Sequence, residues 1–485
     1  MPILILASFI CWISASSAQE LETSLPSKFN LRSESIEILG SYNDLVYAHI
    51  NDRHDHRIVT YRKDNLGLKW EKDLAYDDNK YSFGDLLFDK GQFTLFITDK
   101  KSGSKYLFAK RYNADLAPDT VLHKIDSIGG SFAKAYPEYG FVQSESRDYT
   151  LCYYVDQVFN GDDNLKYTLL NRDLKVLTHG ELKIPTGSRH NALYAIEVDN
   201  MGRIYVVVAE FKDLSQEHAR RYWLMSSESG FKEINHIDIQ PKDGVYLNNV
   251  KFKIDNYNRT LVVAGFYAED YKKPAYAEGV YFERIRLSDR ESIVKQYQKF
   301  EPDFIARIQG ARAGKAGRLY TFVVDQILLR QDGGAMVVAE SFYKTYRRSP
   351  EIYDIYGMPM YSETSISYHF DEILAFSVHP DGAFHWKNVL LKHQTSTGDF
   401  GRYSSYALMN SGDLLTFLFN DQISNRTNVI TYTVDVQGNM RRNVLLNSRK
   451  HDLYLMPQFG KQVSASELII PSVKRNELKL VKISF

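Results

Sequence analysis

The chain has 485 residues, in which 60 Lys and Arg balance 60 Asp and Glu. The two signs are interspersed, which argues against a nucleic-acid binder or a membrane-surface helix, since both need a basic excess. Cysteines stand only at Cys11 and Cys152, so Cys-x-x-Cys metal sites are excluded.

Residues 3–13 form an unbroken apolar or small run, long enough for the h-region of a secretory signal and too short to span a bilayer. Ser16 and Ala18 then place small residues where a signal peptidase cuts, ahead of Gln19 and Glu20. A signal peptide is expected at 1–18 and one mature unit at 19–485. The leader departs from the usual pattern in having no Lys or Arg before Lys28, and Ser8-Phe9-Ile10 is a poor lipobox for Cys11. In the mature chain Cys152 is alone, inside Leu151-Cys152-Tyr153-Tyr154, and reads as a small buried hydrophobe in a strand. No later apolar run is long enough for a transmembrane helix, so the expectation is an exported protein of the periplasm or of the outer surface of the outer membrane.

After an isolated extended stretch at 24–31, one theme recurs: an apolar strand, a turn rich in Asp, Asn or Gly, and a second, strongly apolar strand. Leu86-Leu-Phe-Asp89-Lys-Gly-Gln-Phe-Thr-Leu-Phe is one copy, and Tyr194-Ala-Ile-Glu-Val-Asp199-Asn-Met-Gly202-Arg-Ile-Tyr-Val-Val-Val-Ala-Glu another. Others start at Val250, Leu328 and Tyr406. Asp, Asn and Gly accept the left-handed geometry of tight hairpins, and the β-branched and aromatic residues around them suit strands. Each copy is followed by a second hairpin with a polar turn, such as Asp64-Asn-Leu-Gly67, Asp381-Gly382 or Asp435-Val-Gln-Gly438.

Two hairpins make four strands. The strongly apolar strands begin near Leu45, Gln92, Phe141, Arg203, Arg259, Gly334, Asp413 and Glu467, at intervals of about 47 to 79 residues, the sequence signature of a radial repeat. An all-β fold is predicted, a single β-propeller of about eight (seven or eight) four-stranded blades. Residues 204–209 are apolar at consecutive positions, as expected of inner strands buried on both faces near the axis. Only three candidate strands follow Asp452, so an N-terminal strand is expected to complete the last blade and close the ring.

Two insertions break the period. Residues 299–315 contain Phe304-Ile-Ala-Arg-Ile-Gln and predict one short helix. Residues 343–368 are rich in Tyr and carry Arg, the chemistry favoured at recognition surfaces, which makes Tyr346, Arg347, Tyr353, Tyr356 and Tyr361 candidates for partner contact. Against this stands the abundance of Tyr throughout, 34 residues in all.

No phosphate-binding Gly loop, zinc-protease helix or nucleophile elbow is present, and no catalytic residue, metal or cofactor is assigned. The cluster Asn51-Asp52-Arg53-His54-Asp55-His56 reads as a solvated hairpin turn. Paired acids for glycoside hydrolysis would come from different blades and leave no spacing signal.

One ordered set of motifs spans about residues 320–425. Residues 326–343 precede Tyr368-His-Phe-Asp-Glu-Ile-Leu-Ala-Phe, then Asp381-Gly-Ala-Phe-His-Trp386, Lys392-His-Gln394, Arg402-Tyr-Ser-Ser-Tyr406 and Phe419-Asn-Asp421. This set resembles a family of secreted propeller-like proteins of the Bacteroidota, and the resemblance implies export and a propeller but no mechanism. Within it Glu340, Lys392, Gln394, Tyr403, Ser405, Tyr406, Asn420 and Asp421 fall at strand ends and turns of two adjacent units. They suit either a ligand-binding rim or an inter-blade hydrogen-bond network, the second being the preferred reading. The functional expectation is a non-catalytic binding or scaffold protein of the bacterial envelope, recognising a protein or glycan through propeller loops. The alternatives are a carbohydrate hydrolase or lyase with acids in the central funnel and, third, an outer-membrane β-barrel.

Overall fold

The computed structural model describes residues 20–52, 55–101, 103–129, 136–158, 161–188, 190–214, 218–227, 235–269, 276–309, 319–320, 322–348, 352–353, 359–360, 364–423 and 428–485. The expected signal peptide at 1–18 lies outside them.

Among the described residues seven antiparallel sheets have four or more strands, and one of these, with eight, is two four-stranded units joined at the single pair Ala219↔Leu247. The chain is therefore a β-propeller of eight blades. Blade 1 runs Ser35–Tyr42, Leu45–Asn51, His56–Arg62 and Leu68–Asp73. Blades 2 to 7 repeat this order, starting at Ser82–Asp89, Gly140–Gln143, Asn191–Val198, Tyr246–Asp255, Phe322–Leu329 and Ala407–Asn410. Blade 8 holds Lys461–Gln462, Glu467–Lys474 and Glu477–Ser484, and takes its fourth strand, Glu20–Thr23, from the other end of the chain. Turn chemistry sets the hairpins. Lys90 and Gly91 both have positive φ between the paired Asp89 and Gln92, and a methyl group on Gly91 would collide with the Tyr42 ring.

Eight apolar clusters fill the molecule, one between each pair of successive blades. The second strand of each blade feeds two of them. In Ile204–Phe211 the side chains of Ile204, Val206 and Val208 pack toward blade 3, while Tyr205, Val207 and Ala209 pack toward blade 5. Because side chains alternate across a strand, burial on both faces favours apolar residues at consecutive positions. Each such Val or Ile contributes about 1.5–3 kcal/mol.

The cluster between blades 8 and 1 joins Ile469, Val473 and Leu480 to Ile36, Val46 and Val59, and so completes the ring. Its closure is also polar. Glu20 pairs with Ser484 and Thr23 with Val481, the Ser24 amide donates to Leu480 O at 2.9 Å, and Leu480 N donates to Ser24 Oγ at 2.9 Å. Lys482 reaches Glu22 at 2.8 Å and donates to the carbonyls of Lys63 and Asp64 in blade 1.

Several expectations need correction. The doubly buried strands are second from the axis; first strands of neighbouring blades touch one another, as Ser35–Tyr42 touches both Ser82–Asp89 and Lys461–Gln462. Phe141 belongs to the first strand of blade 3, and the second strand is Tyr149–Asp156, which contains the buried Cys152. The clasp spans 20–28 rather than 24–31, with Ser27–Lys28 also paired to the last strand. The β-barrel alternative is overturned, because the strands form separate radial sheets in place of one closed cylinder. A helix, Pro302–Gln309, stands in the first insertion and packs Phe304 and Ile305 between blades 5 and 6.

The clasp yields a first prediction. Deleting residues 20–28 uncovers the edge of Glu477–Ser484, so light scattering should find self-association and calorimetry a lower Tm. Phe29→Ala, at a side chain 1% exposed, should cost about 3–5 kcal/mol in urea unfolding.

Candidate functional site

Hairpin turns between the first and second strands, and between the third and fourth, share one face of the propeller. The opposite face carries the middle hairpins and the links between blades. Seven of the eight residues singled out between 340 and 421 meet near that second face.

Lys392, in the link from blade 6 to blade 7, has a wholly buried ammonium 2.8 Å from Glu340 Oε1. It donates to Phe370 O at 2.8 Å and to Gln394 Oε1 at 3.2 Å. Ser405 Oγ donates to Glu340 Oε2 at 2.7 Å, and the Ser405 amide donates to Gln394 Oε1 at 2.8 Å. Gln394 Nε2 donates to Asn420 O at 2.6 Å, and Asn420 Nδ2 donates to the carbonyls of Tyr403 and Leu455. Tyr403 OH reaches Val473 O at 3.1 Å, which carries the network from blade 6 through blade 7 into blade 8. Asp421 stands apart, half-buried and paired with Arg442 at 3.1 Å.

Burial pushes the Glu340 carboxyl up and the Lys392 amine down, and their mutual attraction opposes both shifts. Asp325, absent from the sequence-based set, belongs here as well. It occupies a bulge in Phe322–Leu329, accepts Tyr406 OH at 2.6 Å, and raises the Glu340 carboxyl further. A lone acid inside the apolar run Phe322-Val-Val-Asp-Gln-Ile was the available signal.

The axis itself is charged. Glu37, Asp85 and Glu197 come from the first strands of blades 1, 2 and 4, and Lys461, Lys251 and Lys253 from blades 8 and 5. Burial holds all three carboxyls above their usual range; Lys461 opposes this at Glu37, and Lys253 and Lys251 oppose it at Glu197. Side chains of this kind reach water in the channel yet are ringed by protein, which is why their charge is costly. Glu37 and Lys461 line a cleft of about 370 Å³ between blades 8 and 1, together with Ser35, His49, Asn51 and Phe459.

His49 leads from this cleft to a buried imidazole pair. Its Nε2 lies 3.1 Å from His56 Nδ1, and the His56 ring stacks on Phe83 of blade 2 with centroids 3.9 Å apart. His56 is thus a buried strand residue rather than part of a solvated turn; His54 lies outside the described residues. Burial, then His56, pushes His49 down to about 4, and burial also lowers His56. Among the described residues no group of three or more His, Cys, Asp or Glu could hold a metal ion.

The Tyr-rich insertion is an arm. Ala335–Arg348 and Thr364–Val378 stay paired out to Arg348↔Thr364, well past Ile373↔Leu390, where the outer strand of the blade ends. Gln394–Thr397 takes over beside the arm's base, and Tyr343 stacks on His369 with centroids 4.4 Å apart. Tyr346 is 67% exposed and Arg347 is exposed. Tyr353 belongs to a short strand paired with Pro359–Met360, while Tyr356 and Tyr361 lie outside the described residues.

No protein-family model and no curated protein matches the chain. Solved structures with similar folds include the Dos1 propeller, at 11% identity over 95% of this chain and 92% of that one, with a TM-score of 0.42. The polysaccharide lyase Uly1 shares 8% identity over 84% of this chain and 94% of its own, with a TM-score of 0.39. Prolyl oligopeptidase B from Galerina marginata shares 10% identity over 86% of this chain and 51% of its own, with a TM-score of 0.41. The chain spans about half the length of the prolyl peptidases it matches. These likenesses concern the fold alone. No helix among the described residues is long and apolar enough to cross a membrane.

Two predictions follow from the buried groups. Lys392→Met leaves the Glu340 carboxyl uncompensated and should cost about 3–5 kcal/mol in urea unfolding, part of which the double variant with Glu340→Gln restores. Because the folded-state value of His49 lies below its unfolded value of 6.5, the stability tied to its neutral form is complete above pH 6.5 and is lost as pH falls toward 4. Unfolding at pH 7 and pH 5 should differ by about 2 kcal/mol from this group, and His49→Gln should reduce that difference.

Proposed function

We propose that the protein is an exported, non-catalytic binding protein of the cell envelope that recognises a protein or glycan through the arm of blade 6. The carrying observation is that two strands continue as a pair beyond their own blade and present Lys344, Thr345, Tyr346 and Arg347 as exposed side chains. Backbone pairing makes such an arm stiff, so little ordering entropy is lost when it meets a partner. Its Tyr and basic residues supply stacking surface and hydrogen-bond donors suited to a sugar face or an acidic peptide. Export rests on the leader at 1–18.

A second reading, a hydrolase or lyase acting on carbohydrate, draws support from the axial channel, where Glu37 and Asp85 are held above their usual range in adjacent blades.

The two readings separate experimentally. Replacing residues 345–367 by Asn-Gly closes the hairpin at the Lys344↔Tyr368 pair and leaves the blade intact. Capture of partners from an envelope fraction should disappear with an unchanged Tm, and a photo-crosslinker at Tyr346 should give an adduct that one at Tyr257, on the opposite face, does not. Capture that survives removal of the arm sinks the binding proposal. Glycan turnover abolished by Glu37→Gln and Asp85→Asn would put the enzyme in its place.

A further inference from the structure

On the face opposite the arm, the turns of blades 4, 5 and 6 enclose a cleft of about 590 Å³, the size of a small-molecule site. Arg203, Arg259, Arg284, Arg286 and Arg290 line it against a single carboxylate, Asp332. In a chain whose charges cancel, five guanidinium groups around one cavity are a strong local asymmetry.

Internal partners account for only part of this charge. Arg286 is paired with Asp289, and Asp332 with Arg330. Arg290 donates to Asn235 Oδ1, and Arg284 Nη1 donates to Gly333 O at 2.5 Å. Arg203 is also engaged. Arg259 is exposed, and its guanidinium has no ion-pair or hydrogen-bond partner among the described residues.

Two buried polar atoms of the lining, Arg284 Nε and Thr260 Oγ1, have no hydrogen-bond partner among the described residues. Leaving a buried donor unpaired costs about 1–3 kcal/mol. Arg259 and Arg290 stand in their turns at φ +52° and +67°, where Gly or Asn sits with less strain.

We propose that this cleft binds a small ligand carrying two or more phosphate or sulfate groups. The planar fork of Arg matches a tetrahedral oxyanion with two parallel donors, and several forks around one cavity favour a ligand with more than one such group. A single inorganic phosphate would leave most of the cavity empty. Arg284 and Thr260 belong to the lining, and the exposed Arg259 and Arg290 supply accessible positive charge. The site is independent of the arm and of the axial channel.

Isothermal titration of residues 19–485 with inorganic pyrophosphate, and separately with a disulfated disaccharide, tests this at about 50 mM and about 200 mM salt. Saturable binding to at least one probe is expected, weaker at the higher salt, and the preferred probe tells phosphate from sulfate as the natural group. Arg259→Gln and Arg290→Gln, both at exposed side chains, should each weaken binding about tenfold with an unchanged Tm. Arg147→Gln, at another turn arginine on the same face, should leave it unaltered. Absence of saturable binding to both probes overturns the proposal, as does binding that the Arg259 and Arg290 variants leave intact.

Discussion

Each blade of this propeller depends on its second strand having no solvent face. Ile204–Phe211 divides its side chains between two apolar clusters, and Thr260–Ala268 and Glu467–Lys474 do the same in their blades. An isolated blade would expose both sides of such a strand, so the blades are stable only as a stack, and the stack is complete only as a ring. With eight blades there are eight interfaces, and removing any one blade uncovers two. Apolar side chains dominate the middle of that stack, with buried exceptions such as Glu283, Thr416 and Thr431. Many other polar residues collect at strand ends, along the axis and on the two turn-bearing faces.

That segregation explains the character of the polar sites. Lys392 and Glu340 lie where three blades converge and water is excluded, so their attraction must offset the desolvation of both. Amide and hydroxyl groups of Gln394, Asn420 and Ser405 satisfy the remaining lone pairs and hydrogens, which makes the cluster a staple between blades. The axial charges are different in kind. Glu37, Asp85 and Glu197 stand on first strands near the axis, where lysines of other blades partly offset the charge of Glu37 and Glu197. The arginine-lined cleft lies on the face away from the staple, among turns whose sequences the packing does not dictate.

Much of the fold could be read from the chain because double-sided burial leaves a distinctive trace. Ile204-Tyr-Val-Val-Val-Ala is apolar at every position, which no half-exposed strand tolerates. Gly140–Gln143 was harder, since a short apolar pair preceding a polar turn looks like the start of a second strand. First strands gave little sign of lining the axis, because Glu37 or Glu197 between apolar neighbours reads as any surface strand would. The Glu340–Lys392 group was visible as an ordered set of polar residues, but not which of them touch, since contacts between blades leave no fixed spacing. Asp325 escaped notice because a bulge turns its side chain out of the alternating pattern. The burial of His56 depends on Phe83 of the next blade and lies beyond any local pattern. The arginine cleft gathers residues from turns spread between 203 and 332.

The pairing of Glu20 with Ser484 also sets the order of assembly. During synthesis the earliest strand emerges with nothing to pair with, and blades can stack one on another for nearly the whole length of the chain before its partner exists. Bringing such distant ends together costs about 5 kcal/mol of chain entropy if the intervening residues are still unfolded, but far less once the stacked blades have already brought the ends round. The final clasp is thus a late step, and until it forms, the newborn protein carries the bare edge of Glu477–Ser484 that the finished ring covers.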